Sequence, residues 1–454
     1  MIKLEQIRIC LEGWVPSTLA TCDGNGVPNI SYVSQVHYVD AQHVALTFQF
    51  FNKTHKNILA NPQATLLMID PLTGAKYRLA LVFRRTEVSG PLFEGMKAKL
   101  AGIANSSGMQ DVFKLLGADI YQVMDIELVP DSTMLPPPIP KNTLFSLREV
   151  FTKLGGISDL AELFAQTLQL LTRYFMVEHA ILLLADNAGQ KLYTVETLGY
   201  SNSGIGSEIP FGYGVIGTAA QQQTPIRITH MATEYTYVQA MRAYLQQHEN
   251  TQSLETSIAF PGLAQPHSQM AVPICDDRKL LGVLYVESPQ DYYFSFDEED
   301  ALVSLALLLG QLLLKLQPAD HEASEVEASL PAADEPVSVA ALSGSDNPAV
   351  IRYFSENQSI FVDQEYLIKG VAGAIFWRLL QLWQSEGRYL FSNRELRLDK
   401  LLKLPDIDDN LEARLILLRR RLAERCNFIA IEKAGRGSFR LAIDKPLSLI
   451  RVEH

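Results

Sequence analysis

Ten residues limit the fold of this chain more than any others: TMLPPPIPKN, 133–142. Proline has no backbone N–H and a fixed φ, so this run cannot lie inside a helix or a central strand. It reads as a semi-rigid extended connector. A second interruption lies at 318–350, where seven acids (Asp320, Glu322, Glu325, Glu327, Asp334, Glu335, Asp346) occur without a lysine or arginine. That stretch is rich in Ala, Ser and Pro, and its few apolar residues cannot offset the entropy of ordering it. It reads as a flexible acidic linker. The two breaks predict units at 1–132, 143–317 and 351–454. A chain of 454 residues is long enough for several cores.

Charge divides the chain in the same way. Residues 351–454 carry 18 Lys+Arg against 14 Asp+Glu, a net of +4, whereas the whole chain carries -12. The first 350 residues therefore hold -16, and only the last unit has a sign suited to nucleic acid. Cys10, Cys22, Cys275 and Cys426 are far apart, which argues against a disulfide framework and against a clustered metal site. The start, MIKLEQIRICLEG, is too interrupted by charge for a signal peptide. The most apolar run, 302–316, is short for a membrane span and follows DEED, so it reads as a buried amphipathic helix. These features predict a cytoplasmic protein with no membrane segment.

In the first unit, residues 18–50 read as strands broken by the DGNG turn at 23–26. Residues 54–62, THKNILANP, form a short helix stopped at Asn61-Pro62; 64–70, 77–90 and 121–130 return to strand. Many short strands with small helices predict a closed or partly closed barrel. The succession Leu19-Ala20-Thr21, Asp23 to Pro28, Thr47 to Phe50 and then Thr54 to Ala64 resembles the pyridoxamine-phosphate-oxidase-like flavin-binding split barrels. The resemblance implies FMN, with Thr54 and Lys56 on its phosphate and Tyr77 and Arg78 facing the isoalloxazine. It also implies a homodimer with flavin at the subunit interface. A lysine at a helix N-terminus suits a phosphate on physical grounds as well. The strand Gly74 to Leu81 lacks the arginine-rich pattern of the oxidases, and the chain runs into the linker instead of a substrate-binding segment.

The middle unit opens on helices: Ile157, Leu160, Phe164 and Leu168 recur at helical spacing. HAILLLAD and KLYTVETLG pair as strands, FGYGVIGT turns into a helix, and 269–287 forms a hairpin. Ser295 or Asp297 caps a long apolar helix whose first turn is acidic. Gly214-Val215-Ile216-Gly217, Met270 to Ile274, Leu281 to Val286 and Phe296 to Asp300 resemble a GAF domain. That implies an α+β fold with a central antiparallel sheet and a small-molecule ligand in a pocket on one face. The cyclic-nucleotide signature is missing, and His179, His230, His248 and His267 are haem candidates by type only. Tyr235, Tyr237 and Tyr244 fall in the pocket cover at 230–268, where they either line a ligand or pack the cover onto the sheet.

In the last unit, 349–354 and 359–368 read as small strands, and 373–387, 392–404 and 408–426 as helices. Ser392 with Glu395 makes a capping box. Residues 428–443 form a hairpin around Ala434 to Gly437. Leu418-Arg419-Arg420-Arg421-Leu422 and Gly435-Arg436-Gly437-Ser438-Phe439-Arg440 resemble the winged-helix output domain of response regulators. That implies a third helix in the major groove of double-stranded DNA, with Arg414, Arg420 and Arg421 on the helix and Arg436 and Arg440 on the wing. Ile416 and Leu417 point off the apolar stripe and suit either thymine methyls or a protein partner.

The fold class expected is thus multi-domain: a β-split barrel, an α+β GAF domain and a winged helix. No acid–base pair, nucleophile–base pair or metal cluster is visible in the sequence. The chain reads as a one-component transcriptional regulator that senses a small molecule or redox state, and as a regulator more than an enzyme. A flavin-dependent oxidoreductase with regulatory domains and a protein-interaction scaffold are the alternatives.

Overall fold

The computed structural model describes residues 2–13, 15–33, 36–48, 53–106, 115–130, 132, 142–229, 258–277, 279–316, 348–399, 401–402, 411–435 and 437–452. The proline run and almost all of the acidic linker lie outside these residues.

The first unit is a seven-stranded antiparallel sheet in the order β2-β1-β5-β6-β7-β4-β3. Its strands are β1 (Ser17–Cys22), β2 (Pro28–Val33), β3 (Val36–Asp40), β4 (His43–Phe48), β5 (Gln63–Ile69), β6 (Lys76–Glu87) and β7 (Gly117–Leu128). The DGNG turn forms as read: the Asp23 carboxylate accepts from the N–H groups of Asn25 and Val27, both at 2.9 Å. Helix α1 (Lys53–Ala60) bridges β4 and β5, and α2 (Pro91–Ser106) bridges β6 and β7. A 3₁₀ segment, Leu4–Glu12, packs Leu4, Ile7, Cys10 and Leu11 into the sheet's core with Leu19, Leu66, Met68, Leu79 and Leu81. Burial pushes the Cys10 thiol up to about 12, so it is packed as an inert hydrophobe. This is a split-barrel-like sheet.

The second unit holds a six-stranded antiparallel sheet, β10-β9-β8-β13-β12-β11. The strands are β8 (His179–Asp186), β9 (Lys191–Leu198), β10 (Glu208–Pro210), β11 (Ile226–Ile228), β12 (Ser268–Asp276) and β13 (Lys279–Ser288). Helices α3 (Thr143–Leu154), α4 (Leu160–Phe175) and α6 (Phe296–Leu316) cover one face. Helix α5 (Gly214–Gln222) packs on the other with Ile181, Val283 and Tyr285. Gly217 is required at that contact, because a Cβ there would lie 2.2 Å from the Pro210 carbonyl. Helix α6 starts as read: the Glu298 carboxylate accepts from the Ser295 N–H at 2.9 Å, and Ser295 Oγ accepts from the Asp297 N–H at 3.2 Å.

The third unit has strands β14 (Ala349–Phe354), β15 (Ser359–Val362), β16 (Glu365–Ile368), β17 (Leu390–Ser392), β18 (Ile429–Gly435), β19 (Ser438–Ile443) and β20 (Leu447–Val452). The helices are α7 (Gly370–Glu386), α8 (Asn393–Leu398) and α9 (Leu411–Arg425). One sheet runs β16-β15-β14-β20 and the other β17-β19-β18. The sequence gives no sign of β20, which returns to pair in parallel with β14. The capping box is half formed. Ser392 Oγ accepts from the Glu395 N–H at 3.2 Å, but the Glu395 carboxylate turns to Arg388, 2.5 Å away. Helix α8 is also shorter than the helix read at 392–404, as Asp399 leaves it to pair with Arg378 at 2.6 Å.

One hydrophobic cluster runs from α3, α4 and α6 through to α7, α9 and β18. The second and third units therefore share a core, although the segment joining them was read as a tether. Among the described residues, no helix is long and apolar enough to cross a membrane.

Candidate functional site

Helix α1 stands at the end of the barrel where β1 and β2 pair. Its first turn carries Thr54, His55 and Lys56. Thr54 Oγ1 lies 2.5 Å from Ser31 Oγ in a shared hydrogen bond and accepts from Asn29 Nδ2 at 3.0 Å. Strand alternation explains the grouping: Asn29 and Ser31 share one face of β2, while Ile30 and Tyr32 point the other way and are 68% and 83% exposed. Lys56 is exposed, two residues along the same turn. The residues between fasten the helix. His55 Nδ1 meets the buried Asp119 carboxylate at 3.1 Å, Thr86 Oγ1 donates to the same carboxylate at 2.6 Å, and Asn57 Nδ2 donates to Thr21 Oγ1 at 3.2 Å. Hydroxyls, an amide and a lysine on a helix's first turn form a donor set suited to a phosphate.

Tyr77 and Arg78 do not join this cluster as a pair. Neighbours on a strand face opposite ways, so both cannot line one ring. Tyr77 packs against the barrel core, and burial raises its phenol above the ordinary value. Arg78 lies on the outer face, paired with Glu127 at 2.6 Å. The register places Ser31, Leu19, Leu66 and Leu79 on one side of the sheet and Tyr32, Thr18, Leu67 and Arg78 on the other. The sequence reading missed Asn29, Ser31, His55 and Asp119. The alternation Asn29-Ile30-Ser31-Tyr32 is a signal that could have revealed the first two.

In the second unit, Tyr235, Tyr237 and Tyr244 lie outside the described residues. Beside that segment, buried Glu287 accepts from Tyr200 Oη at 2.8 Å, Tyr285 Oη at 2.8 Å and the Leu263 N–H at 2.7 Å. Desolvation raises its carboxyl above the usual range, and these three donors pull it partly back. The His179 ring meets Tyr200 edge-on at 5.4 Å. Among the described residues, no three His, Cys, Asp or Glu are grouped to hold a metal.

In the third unit, the arginines expected on DNA are engaged elsewhere. Arg414 is buried, its guanidinium 4.0 Å from the Tyr193 ring and 3.5 Å from Asp186. Arg420 donates to the Val195 carbonyl and to Glu196 at 2.5 Å. Arg421, also buried, donates to the Leu367 carbonyl and to Glu424, both at 3.0 Å. Ile416 and Leu417 are buried too, with Leu417 over Gly206. This corrects the expectation that they face a groove: α9 uses that side to pack on β8 and β9. Arg440 is exposed and bonded to Glu432, and Arg436 lies outside the described residues.

Comparison with known proteins accords with the first two units. Residues 4–122 match the pyridoxamine 5'-phosphate oxidase family model, and residues 159–313 match the GAF domain model. No curated protein matches the chain. Among solved structures, the GAF domain of a phosphoenolpyruvate-protein phosphotransferase from Coxiella burnetii is 20% identical, covering 38% of this chain and 94% of its own, with a TM-score of 0.31. The free methionine-R-sulfoxide reductase of Neisseria meningitidis is 18% identical over 39% of this chain and 93% of its own, with a TM-score of 0.30. An FMN-binding protein from Syntrophomonas wolfei is 16% identical over 28% of this chain and 85% of its own, with a TM-score of 0.24. The chain thus resembles the pyridoxamine 5'-phosphate oxidase family over residues 4–122 and GAF domains over residues 159–313. The oxidase-family match overturns the expectation of a regulator more than an enzyme.

Proposed function

We propose that this chain is an FMN-dependent oxidoreductase whose split barrel works under the control of a GAF sensory domain. The observation that carries this reading is the polar cluster at the start of α1, where Thr54 is bonded to Ser31 and Asn29 of β2, with exposed Lys56 two residues along the helix. Thr54, Lys56, Ser31 and Asn29 would hold the FMN phosphate. When bound, the flavin supplies hydride or electron transfer. The chain's own residues anchor and orient: Lys56 neutralises a phosphate, and His55 on Asp119 keeps the turn in place. The exposed Ile30 and Tyr32 on the outer face of β2 offer a surface for a second copy, so the reading includes a homodimer. Titration of the full-length protein with FMN, followed by flavin fluorescence, tests the reading. Saturable binding that weakens in Lys56→Ala and Ser31→Ala supports it; absence of binding ends it.

One observation favours a second reading, transcriptional regulation by the third unit. The order β17, α8, α9, β18, β19, with β17 paired to β19, accords with a winged helix. Binding to double-stranded DNA would require α9 to leave the GAF domain, since Arg414 and Arg420 are held there. Full-length protein that binds duplex in low salt, and more tightly as Glu196→Gln, which frees Arg420, would favour this role.

A further inference from the structure

The barrel and the GAF domain meet through a buried cluster of charge. On the barrel side, the 3₁₀ segment presents Arg8 and Glu12. On the GAF side, β11 presents Arg227, and the start of α6 presents Phe296, Glu299 and Asp300. The side chains of Arg227 and Glu12 are 1% and 2% exposed. Arg227 Nη1 donates to Glu12 Oε2 and, at 3.3 Å, to the Phe294 carbonyl; its Nε donates to Glu299 at 2.6 Å. The Phe296 ring lies between two guanidiniums, 4.4 Å from that of Arg227 and 4.6 Å from that of Arg8. Arg8 then reaches Asp300 at 3.0 Å. Phe296 itself packs against the barrel core.

A buried charge is tolerated only when it is paired, and removing one partner costs far more than the pair contributes. Here the partners of Arg227 come from different domains. Substituting Glu12 leaves Arg227 buried at the contact with the carboxylate of Glu299 alone, and substituting Arg227 leaves Glu12 buried with only the charge of Lys99 nearby. Among the described residues, Glu12 Oε1 and Arg227 Nη2 make no hydrogen bond.

The location of Arg227 links this cluster to the GAF domain's second face. Ile226 and Ile228 join the cluster formed by α5, Ala271, Val283 and Tyr285, while Arg227 between them turns to the barrel. Helix α2 of the barrel packs along α5, and Gly95 faces Thr224 where α5 leads into β11. The barrel therefore touches α5 and β11, which build the face carrying Tyr285 and Glu287, as well as the start of α6; on its own side α2 packs Phe93 and Met96 on Ala118 and Ile120 of β7, whose Asp119 holds His55.

We infer that Arg227 is a coupling residue, which ties the state of the GAF domain's second face to cofactor binding in the barrel. The readout rests on the flavin reading above; the coupling itself does not. The test uses full-length wild type, Arg227→Met, Glu12→Gln and the double variant. FMN affinity is read by flavin fluorescence and folding by urea denaturation. Glu12→Gln keeps side-chain shape, and serves if Arg227→Met fails to fold. Each single variant is expected to weaken FMN binding about tenfold, with the double no weaker than the worse single. FMN affinities within about twofold of wild type in folded variants, or additive losses in the double, would overturn the inference. If the wild type binds no FMN, the flavin reading falls and urea decides alone. One barrel–GAF transition that splits in either variant supports the coupling, and two separate transitions in the wild type overturn it.

Discussion

Two helices hold the cations that the sequence singles out, and their circumstances are opposite. Helix α1 leaves Lys56 in solvent, two residues from Thr54 and its bond to Ser31. Helix α9 sends Arg414 and Arg420 into the neighbouring domain, where Asp186, Glu196 and the Tyr193 ring receive them. A ligand site keeps its charge accessible; an interface uses its charge internally. Both helices carry basic residues, so burial and partners separate the exposed charge of Lys56 from the arginines used in the seam.

The largest expected effect is at the seam. Arg414→Ala removes the Tyr193 contact and takes the nearest guanidinium from the largely buried Asp186, so stability to urea should fall by about 3 kcal/mol. A change below about 1 kcal/mol would make α9 a surface helix like α1. Next comes Lys56→Ala, expected to weaken FMN about tenfold, near 1.4 kcal/mol, with an unchanged melting temperature. A fall in melting temperature as large as that of Arg414→Ala would mark Lys56 as structural. The third prediction concerns pH. Glu287 is held above its ordinary value by burial, so the folded chain binds its proton more tightly than the unfolded chain does. Stability from this group is complete below the unfolded value of 4.5 and is lost as pH rises through the folded value. Melting temperatures measured from pH 4 to 8 should show a smaller downward slope in Glu287→Gln. The smallest effect is expected at Arg440→Ala: its bond to Glu432 is fully exposed, and the melting temperature should not move.

Local features were legible in the sequence. The Asp23 turn and the Ser295 start of α6 depend on residues close in the chain. The first turn of α1 was legible for the same reason, since Thr54 and Lys56 sit on one short helix. What was not legible lies far apart in sequence. Asp186 and Glu196 precede α9 by more than 200 residues, as Glu12 precedes Arg227. Tyr77 and Arg78 were assigned one role through their adjacency, although adjacency on a strand separates side chains. Strand β20 completes a sheet begun at Ala349, and a short terminal run of Leu, Ile and Val has no local mark of its parallel partner.

The shared hydrophobic cluster has a practical consequence for anyone who takes the protein apart. Cleavage within 317–347 looks harmless in sequence, because that stretch is acidic and poor in apolar residues. Yet separating the halves would uncover Ile416, Leu417 and the buried arginines on one side and the β8–β9 surface on the other. Fragments made by such a cut should stick to one another or precipitate, while the nicked chain should travel as one particle through a sizing column.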